Sequence, residues 1–280
     1  MDNQDFTLGI KFGSNCCIGI WRNNKVELIP NEIGSNLTPS IISFTRKEIL
    51  IGNAAKNLMI ANHKNTIYGI TELIGKRFDD PEIQKFINSV PFEVDKDTNT
   101  NKPIIIIETE KEIQSFSPEQ LYSMILEKLI LNAEKYLKTN IKNIIIIVPA
   151  NFNLTQREGI KTAVELAKLN LIEIMNEPTV ACISYGLEQL NEGNNVLVFK
   201  MGSSKLNISI LNVQSNSFRI KTSVNDENLG GDGLDNELVK YCIKKFKEKS
   251  GIDINELDNE KKKQILYKLK HKCERHKIFL

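Results

Sequence analysis

Ile-Lys-Phe-Gly-Ser (residues 10–14) and Phe-Lys-Met-Gly-Ser (residues 199–203) are two copies of one pattern, placed far apart in the chain. Each copy ends an apolar run that predicts a strand, and a second such run follows it. Each copy therefore predicts two strands joined by a tight glycine turn. Two copies of this unit indicate a fold built by duplication, with two related lobes.

The glycine turns have two interpretations from the residues alone. Gly13-Ser14-Asn15 and Gly202-Ser203-Ser204 are either ordinary hairpin turns or phosphate-binding turns, because such turns expose several backbone N–H groups at one point. A third turn, Gly230-Gly231, precedes a predicted helix and is either a helix cap or a site for phosphate or a sugar edge. The P-loop pattern and the Gly-x-Gly-x-x-Gly pattern are both absent from the sequence, so neither chemistry is indicated.

The middle of the chain alternates strands and helices. Ser117 with Gln120, and Asn153 with Gln156, form capping boxes that predict the starts of two helices. After the first of these helices the predicted order is strand, helix, strand, helix, strand, at residues 144–148, 153–168, 171–175, 178–190 and 196–199. This order predicts an α/β sheet with parallel strands. Strands 25–29 and 41–44 are expected to extend the first sheet, and helices are expected at residues 54–61, 68–76, 81–88, 234–249 and 259–279.

Composition narrows the classes of protein. The chain has 280 residues, 41% of them hydrophobic, with 37 basic and 35 acidic side chains. This length predicts one large domain or two lobes, and the balanced charge predicts no nucleic-acid partner. No apolar run approaches the roughly 18 residues of a membrane span, and no secretory signal is recognisable. Five widely spread cysteines without a metal-binding spacing predict a reducing, cytoplasmic environment and no metal site.

Longer segments carry a family resemblance: LIPNEIGSNLTPSIISF (28–44), LIGNAAKN (50–57), LIGKRFDDPEIQ (73–84), FSPEQL (116–121), VPANFN (148–153), IMNEPTVACISYGL (174–187), NVLVF (195–199) and LGGDGLDNELV (229–239). In them the chain resembles the nucleotide-binding domain of the seventy-kilodalton heat-shock (Hsp70) chaperones. The resemblance implies an α/β, actin-like (ribonuclease H-like), duplicated two-lobed ATPase fold. Residues 1–190 would form lobe I and residues 191–280 a partial lobe II, with no peptide-binding domain.

The resemblance also implies ATP or ADP as the ligand, held in the family by two glycine turns with magnesium. Carried over to this sequence, the nucleotide-binding positions are Gly13, Ser14, Asn15, Gly202, Ser203, Ser204, Gly230, Gly231, Glu274 and Lys277. Glu177 matches the family's catalytic glutamate. The resemblance further implies a chaperone of the stress response, with co-chaperones or full-length relatives as partners.

Five positions depart from the family's site. Lys11 and Lys200 stand where the family has the aspartates that hold hydrated magnesium, and Thr71 stands in place of its catalytic lysine. Lys205 and Asn207 depart from the second glycine loop. An ammonium group donates hydrogen bonds only, so it cannot replace an oxygen ligand of magnesium. We therefore expect a pseudoenzyme with weak or no ATP hydrolysis and doubtful magnesium binding.

Two outcomes for binding are open from the sequence. The lysines at positions 11 and 200 either pair with phosphate oxygens of a nucleotide, or form salt bridges to Glu177 and nearby acids. In the second case the chain is an interaction or regulatory protein that keeps the fold and binds no nucleotide. The apolar stripe Ile265, Leu269 and Cys273 on the last helix is expected to be exposed, which predicts self-association.

Overall fold

A computed structural model of the chain describes residues 6–109, 112–189, 193–214, 217–226 and 229–279. The chain forms two compact units, Met1–Glu177 and Pro178–Leu280. The boundary predicted between residues 190 and 191 falls inside the second unit, and the assignment of the two lobes stays a prediction. The helix predicted at 178–190 is too long: it ends at residue 184, and residue 190 lies outside the described residues. No helix in the described part of the chain is long and apolar enough to cross a membrane.

The first unit contains β1 (Thr7–Lys11), β2 (Asn15–Arg22), β3 (Lys25–Leu28), β4 (Thr38–Pro39), β5 (Ile42–Phe44), β6 (Ile49–Ile51), α1 (Asn53–Lys56), β7 (Thr66–Ile67), α2 (Ile70–Leu73), α3 (Pro81–Ser89), β8 (Glu93–Lys96), β9 (Pro103–Glu108), β10 (Ile113–Phe116), α4 (Pro118–Leu137), β11 (Asn143–Val148), α5 (Leu154–Leu166) and β12 (Asn170–Asn176). The rest of the chain contains α6 (Glu177–Ser184), which begins at the last residue of the first unit, and then β13 (Asn194–Met201), β14 (Leu206–Gln214), β15 (Ser217–Asp226), α7 (Gly231–Ser250) and α8 (Asn259–Phe279). Short 3-10 turns lie at His63–Asn65, Leu187–Gln189 and Ile254–Glu256.

The largest sheet of the first unit has the strand order β12-β11-β1-β2-β3, and β4 pairs with β2. Strand β11 runs parallel to both β1 and β12, whereas β1 and β2 form the predicted antiparallel hairpin. One face of this sheet is in the core, where Leu8, Ile10, Ile144 and Ile146 are fully buried. The mixed sheet with parallel strands confirms the predicted α/β class, and it is consistent with the actin-like fold.

Both predicted capping boxes are present. In α4 the Ser117 side chain accepts from the Gln120 amide while the Gln120 side chain accepts from the Ser117 amide, and Asn153 and Gln156 do the same for α5. These reciprocal bonds satisfy amides that the first helical turn leaves without partners. Leu121, Ile125, Leu129 and Ala133 follow one another at four-residue spacing along α4 and are all buried in the core.

Several element predictions were wrong. Strand β5 does not extend the first sheet but pairs with β6 and β7, because its three residues are all buried and a fully buried run carries no periodicity that assigns it to one sheet. The helices predicted at 54–61 and 68–76 are only four residues long, α1 and α2, and neither has a side-chain cap.

The second unit contains an antiparallel sheet, β13-β14-β15, and the helices α7 and α8. The predicted strand 196–199 is part of β13, which pairs antiparallel with β14 in this sheet, so of the three strands predicted between residues 144 and 199 only β11 and β12 are parallel neighbours. The exposure predicted for the apolar stripe Ile265, Leu269 and Cys273 of α8 is wrong for Cys273. Cys273 is 4% exposed, because α8 packs against α7, to which it is bonded through Lys277 and Asp235, whereas Ile265 is 36% exposed.

Candidate functional site

The first glycine turn, residues 12–15, is fixed in position by contacts with α4 and with Ser40. Its Phe12 ring stacks on Tyr122 of α4 with a centroid separation of 3.7 Å. The Ser40 amide donates to the Ser14 carbonyl at 3.0 Å, and the Ser40 hydroxyl donates to the Gly13 carbonyl. The side chains of Ser14 and Asn15 are exposed. The turn therefore keeps its carbonyls engaged inside the unit while its side chains face solvent.

A buried thiol lies directly below this turn. Cys16 is fully buried, and its sulfur is 3.0 Å from the Ser40 hydroxyl oxygen. Burial raises the pKa of the Cys16 thiol to about 12, and the hydrogen bond to Ser40 offsets part of this shift. The Tyr122 hydroxyl is also buried and has no hydrogen-bond partner among the described residues. Both groups therefore stay protonated at neutral pH.

Lys11 and Glu177 meet at the carboxyl edge of the parallel strands. The ladders align Lys11 with Ile147, and Ile147 with Met175, in one row across β1, β11 and β12. Glu177 comes directly after the last residue of β12, so it lies at this same edge of the sheet. The ammonium nitrogen of Lys11 lies 3.9 Å from Oε1 of Glu177, with side-chain exposures of 36% and 11%.

The ammonium group of Lys11 also lies over the glycine turn. A Cβ atom built on Gly13 would be 2.9 Å from Lys11 Nζ, so a larger residue at position 13 would displace it. The position beside Glu177 is thus filled by a cation that belongs to the chain. Magnesium requires oxygen ligands, and no group of three or more His, Cys, Asp or Glu side chains that could hold a metal occurs in the described residues. The residues at this edge do not fit a magnesium ion.

Thr71 supplies no charge to the site. It is half-buried on α2, between the core residues Ile70 and Leu73. A hydroxyl stays neutral at any pH of interest, whereas a lysine would carry a positive charge.

The second glycine turn closes the β13–β14 hairpin of the second unit. The Gly202 amide donates to the Lys205 carbonyl at 2.9 Å, and the ladder pairs Lys200 with Asn207 directly below the turn. The strand–turn–strand unit predicted from the repeated pattern is therefore present at both copies. Ser203 is exposed, whereas Ser204 is half-buried.

The third glycine turn packs backbone to backbone on the second. The amide of Gly231 donates to the Gly202 carbonyl at 3.1 Å, and the amide of Asp232 donates to the Ser203 carbonyl at 2.6 Å. A Cβ atom on Gly230 would be 2.7 Å from the backbone nitrogen of Lys205. Only glycine fits there, and two amides at the start of α7 already have partners within the unit.

Lys277 joins α8 to the start of α7. Its ammonium group donates to the Gly231 carbonyl at 3.0 Å and to Oδ2 of Asp235 at 2.9 Å. The Asp235 side chain is 3% exposed, whereas that of Lys277 is 33% exposed. Glu274, one turn earlier on α8, lies 3.7 Å from the Nδ1 atom of His271.

Two residues of these clusters were not predicted. Ser40 lies inside the segment 28–44 that carries the resemblance, but nothing in its pattern indicates contact with Gly13, which is 27 residues away. Asp235 is 42 residues from Lys277. Its position four residues after Gly231, on the same helix face, is the one signal that places it near that turn.

Comparison with known proteins gives the family. The family model described as "Hsp70 protein" matches residues 7–280. The chain belongs to the Hsp70 family. It is 40% identical over 273 residues to the "Heat shock 70 kDa protein 2" of Paracoccidioides lutzii, covering 96% of this chain and 40% of that relative. It is 38% identical over 275 residues to the "Heat shock cognate 70 kDa protein 3" of Dictyostelium discoideum, covering 97% of this chain and 43% of that relative.

The chain thus spans about two fifths of the length of these Hsp70 relatives. Within this Hsp70-family chain, the predicted site residues fall into two clusters. The first unit brings together Lys11, Gly13, Ser14, Asn15 and Glu177, and the second brings together Gly202, Ser203, Ser204, Lys205, Gly230, Gly231 and Lys277. That the glycine turns face each other across a cleft, and that Lys11 faces Lys200, stay predictions.

Proposed function

We propose that this Hsp70-family chain binds ATP or ADP at its glycine turns and hydrolyses ATP weakly or not at all. The observation that supports this most is the position of the Lys11 ammonium group over the Gly13 turn. Its salt bridge to Glu177, the outcome that the sequence analysis links to an empty site, is long at 3.9 Å and leaves the Lys11 side chain 36% exposed, so the ammonium group can still reach a phosphate oxygen. A positive charge over a glycine turn attracts phosphate oxygens. The same charge repels magnesium.

Weak hydrolysis follows from what these residues can do. Phosphoryl transfer to water needs a cation that neutralises the phosphate charge and a group that orients the attacking water. Lys11 supplies charge, but it also neutralises Glu177, the carboxylate expected to orient the water. The ammonium of Lys11 therefore favours a bound ground state over turnover.

Titration of the chain with fluorescent ATP, with and without magnesium, tests the proposal. We expect saturable binding in both conditions and a hydrolysis rate that Glu177→Gln leaves unchanged. The matched variant Lys11→Asp/Lys200→Asp should make binding depend on magnesium. Rapid magnesium-dependent turnover that Glu177→Gln abolishes would contradict weak hydrolysis.

A second function is favoured by an apolar surface on the second unit. The side chains of Leu197, Phe199 and Met201 alternate along β13 on one face and are 62%, 61% and 52% exposed. Contiguous exposed apolar residues mark interaction surfaces. A cytoplasmic protein that uses this face to bind a co-chaperone, a full-length relative or a second copy of itself would need no nucleotide.

The two functions predict different measurements. If no saturable ATP binding occurs in either condition, the interaction function is favoured. In that case sedimentation should show association, alone or with a full-length Hsp70 relative, that Phe199→Asp reduces. The matched exposed position Tyr241→Asp, on α7, should leave the association unchanged.

A further inference from the structure

Ser40 makes two hydrogen bonds to the first glycine turn, and the proposed function gives it no role. It directly follows β4, which pairs with β2, so the ladder places it opposite Ser14. Its amide donates to the Ser14 carbonyl at 3.0 Å, and its hydroxyl donates to the Gly13 carbonyl. Ser40 is 3% exposed, so both bonds are shielded from water.

The contact with Cys16 fixes which way the Ser40 hydroxyl points. A serine hydroxyl has one proton, and the Gly13 carbonyl, which can only accept, receives it. The sulfur of Cys16, 3.0 Å from the hydroxyl oxygen, therefore donates its own proton to that oxygen. The thiol keeps this proton because burial raises its pKa to about 12. The hydroxyl is thereby held in one orientation, with its proton on the Gly13 carbonyl.

The backbone on both sides of Ser40 is anchored as well. Before it, the Nδ2 atom of Asn31 donates to the Leu37 carbonyl at 3.0 Å. After it, the Ile41 carbonyl accepts from the Gly52 amide at 2.9 Å. Ser40 is therefore a fixed point to which the two carbonyls of the turn are attached.

These bonds decide which backbone groups the turn presents. No cis peptide bond occurs in the described residues, and in a trans peptide the carbonyl and the following amide point in opposite directions. The carbonyls of Gly13 and Ser14 point to Ser40. The amides that follow them, those of Ser14 and Asn15, therefore point away from it. Amides attract phosphate oxygens, whereas carbonyl oxygens repel them.

The peptide between Gly13 and Ser14 needs this restraint most. Gly13 has no positive φ, and because it lacks a Cβ atom it can reach other backbone conformations at little cost. A flip of this peptide would put the Gly13 carbonyl where the Ser14 amide now points. The Ser40 hydroxyl bonds that carbonyl and so opposes the flip.

We propose that Ser40 is a positioning residue for the first glycine turn: its hydroxyl holds the Gly13 carbonyl inside the unit, so that the Ser14 amide points to a bound phosphate. This inference rests on the nucleotide binding proposed above. Ser40 itself makes no contact with the nucleotide, and its effect passes through Gly13 and Ser14.

Titration of the full chain with fluorescent ATP tests the proposal. Ser40→Ala removes the hydroxyl and keeps the amide bond to Ser14, and we expect ATP to bind about 3- to 10-fold more weakly, as for the loss of one hydrogen bond. Ser43→Ala is the matched control, because Ser43 is fully buried and its hydroxyl bonds Thr66 at 2.8 Å in a different sheet. It should lose comparable stability in urea and keep its affinity for ATP.

NMR signals of the nucleotide-free chain test how Ser40 acts. Ser40→Ala should shift the carbonyl-carbon signal of Gly13 and the amide signal of Ser14, and Ser43→Ala should leave both in place. If Ser40→Ala does not fold, as circular dichroism would show, the Ser40 hydroxyl proton of the unmodified chain becomes the readout. That proton should exchange slowly with water, and fast exchange would overturn the proposal.

The outcomes separate this proposal from the proposed function. If the unmodified chain shows no saturable binding, the proposed function is overturned and this inference with it. If the chain binds ATP and Ser40→Ala weakens binding no more than Ser43→Ala does, this inference alone is overturned. Weaker binding by Ser40→Ala with unchanged Gly13 and Ser14 signals would also contradict it, since the hydroxyl would then not act through the turn.

Discussion

Lys11 and Glu177 form an ion pair across three parallel strands, with the ammonium nitrogen 3.9 Å from Oε1. The pair lies beside one row of aligned residues, which runs from β1 through β11 to β12. It places a positive charge beside a glycine turn and beside a mostly buried carboxylate. The nucleotide binding proposed for the first unit depends on this charge.

Replacing Lys11 with methionine should weaken ATP binding and leave the stability of the fold almost unchanged. Loss of a charged donor to phosphate should weaken ATP binding about 10-fold or more. Because Lys11 is partly exposed, the free energy of unfolding should change by less than about 1 kcal/mol. Fluorescent-ATP titration and urea denaturation measure the two effects, with Lys25→Met, an exposed lysine of the same sheet, as the control. Unchanged affinity in Lys11→Met would show that Lys11 does not contact the nucleotide.

Replacing Gly230 with alanine should destabilise the second unit by about 2 kcal/mol, because overpacking against atoms that cannot move has a cost of this size. The new Cβ would lie 2.7 Å from the Lys205 nitrogen and 2.8 Å from the Ser203 carbonyl oxygen, both backbone atoms. Thermal unfolding followed by circular dichroism measures the loss. Gly9→Ala is the matched control, since its Cβ would meet its nearest atom at 3.9 Å. If Gly230→Ala were as stable as Gly9→Ala, the second and third glycine turns would be able to move apart at little cost in stability.

Replacing Lys277 with methionine should cost about 3 kcal/mol or more, because it leaves the buried carboxylate of Asp235 without its cation. The double variant Lys277→Met/Asp235→Asn should lose less, since it removes the uncompensated charge. Urea denaturation of both variants checks this order. Lys270→Met removes the more exposed pair with Asp232, 3.5 Å apart, and should cost less than about 1 kcal/mol. If Lys277→Met lost no more stability than Lys270→Met, Asp235 would lie in a better-solvated environment than the structure shows.

Stability should fall in alkali because of Cys16. Its pKa is raised from 9.0 to about 12 by burial. The folded thiol therefore keeps its proton while the unfolded chain releases it. The stabilisation is fully present below about pH 9 and is lost as the pH rises towards 12, by about 1.4 kcal/mol per pH unit.

The comparison of Cys16→Ala with the unmodified chain isolates this effect. Urea denaturation at pH 8 and pH 10 should show a smaller decrease in the variant, whatever its stability at pH 8. Cys17→Ala, which changes the half-buried neighbour, should keep the decrease of the unmodified chain. The same decrease in stability between pH 8 and pH 10 in all three proteins would mean that the pKa of Cys16 is not raised in the folded chain.

The sequence predicted those features that depend on local patterns. Ser117 and Asn153 begin helices because a capping box is complete within four residues. The two hairpins were predicted because each glycine turn separates two apolar runs. The α/β class was predicted from the alternation of strands and helices between residues 144 and 199.

Long-range pairings could not be predicted from these patterns. Strand β5 is buried on both faces and joins a different sheet, and Cys273 is covered by a helix that begins 42 residues earlier. Likewise, the bonds between Ser40 and Gly13 and between Asp235 and Lys277 join residues that no spacing pattern relates to each other. Such contacts depend on how helices and strands pack, and a single sequence carries no separate signal for that packing.

The strand pairing that brings Lys11 to Glu177 also allows the side chain at position 11 to change without a change in the fold. Position 11 is fixed by backbone hydrogen bonds to the strands on either side, and those bonds are indifferent to the side chain it carries. An exchange of aspartate for lysine there, in either direction, changes the chemistry and leaves the ladder intact. The charge at position 11 can therefore be changed by a point substitution that leaves the strand pairing in place.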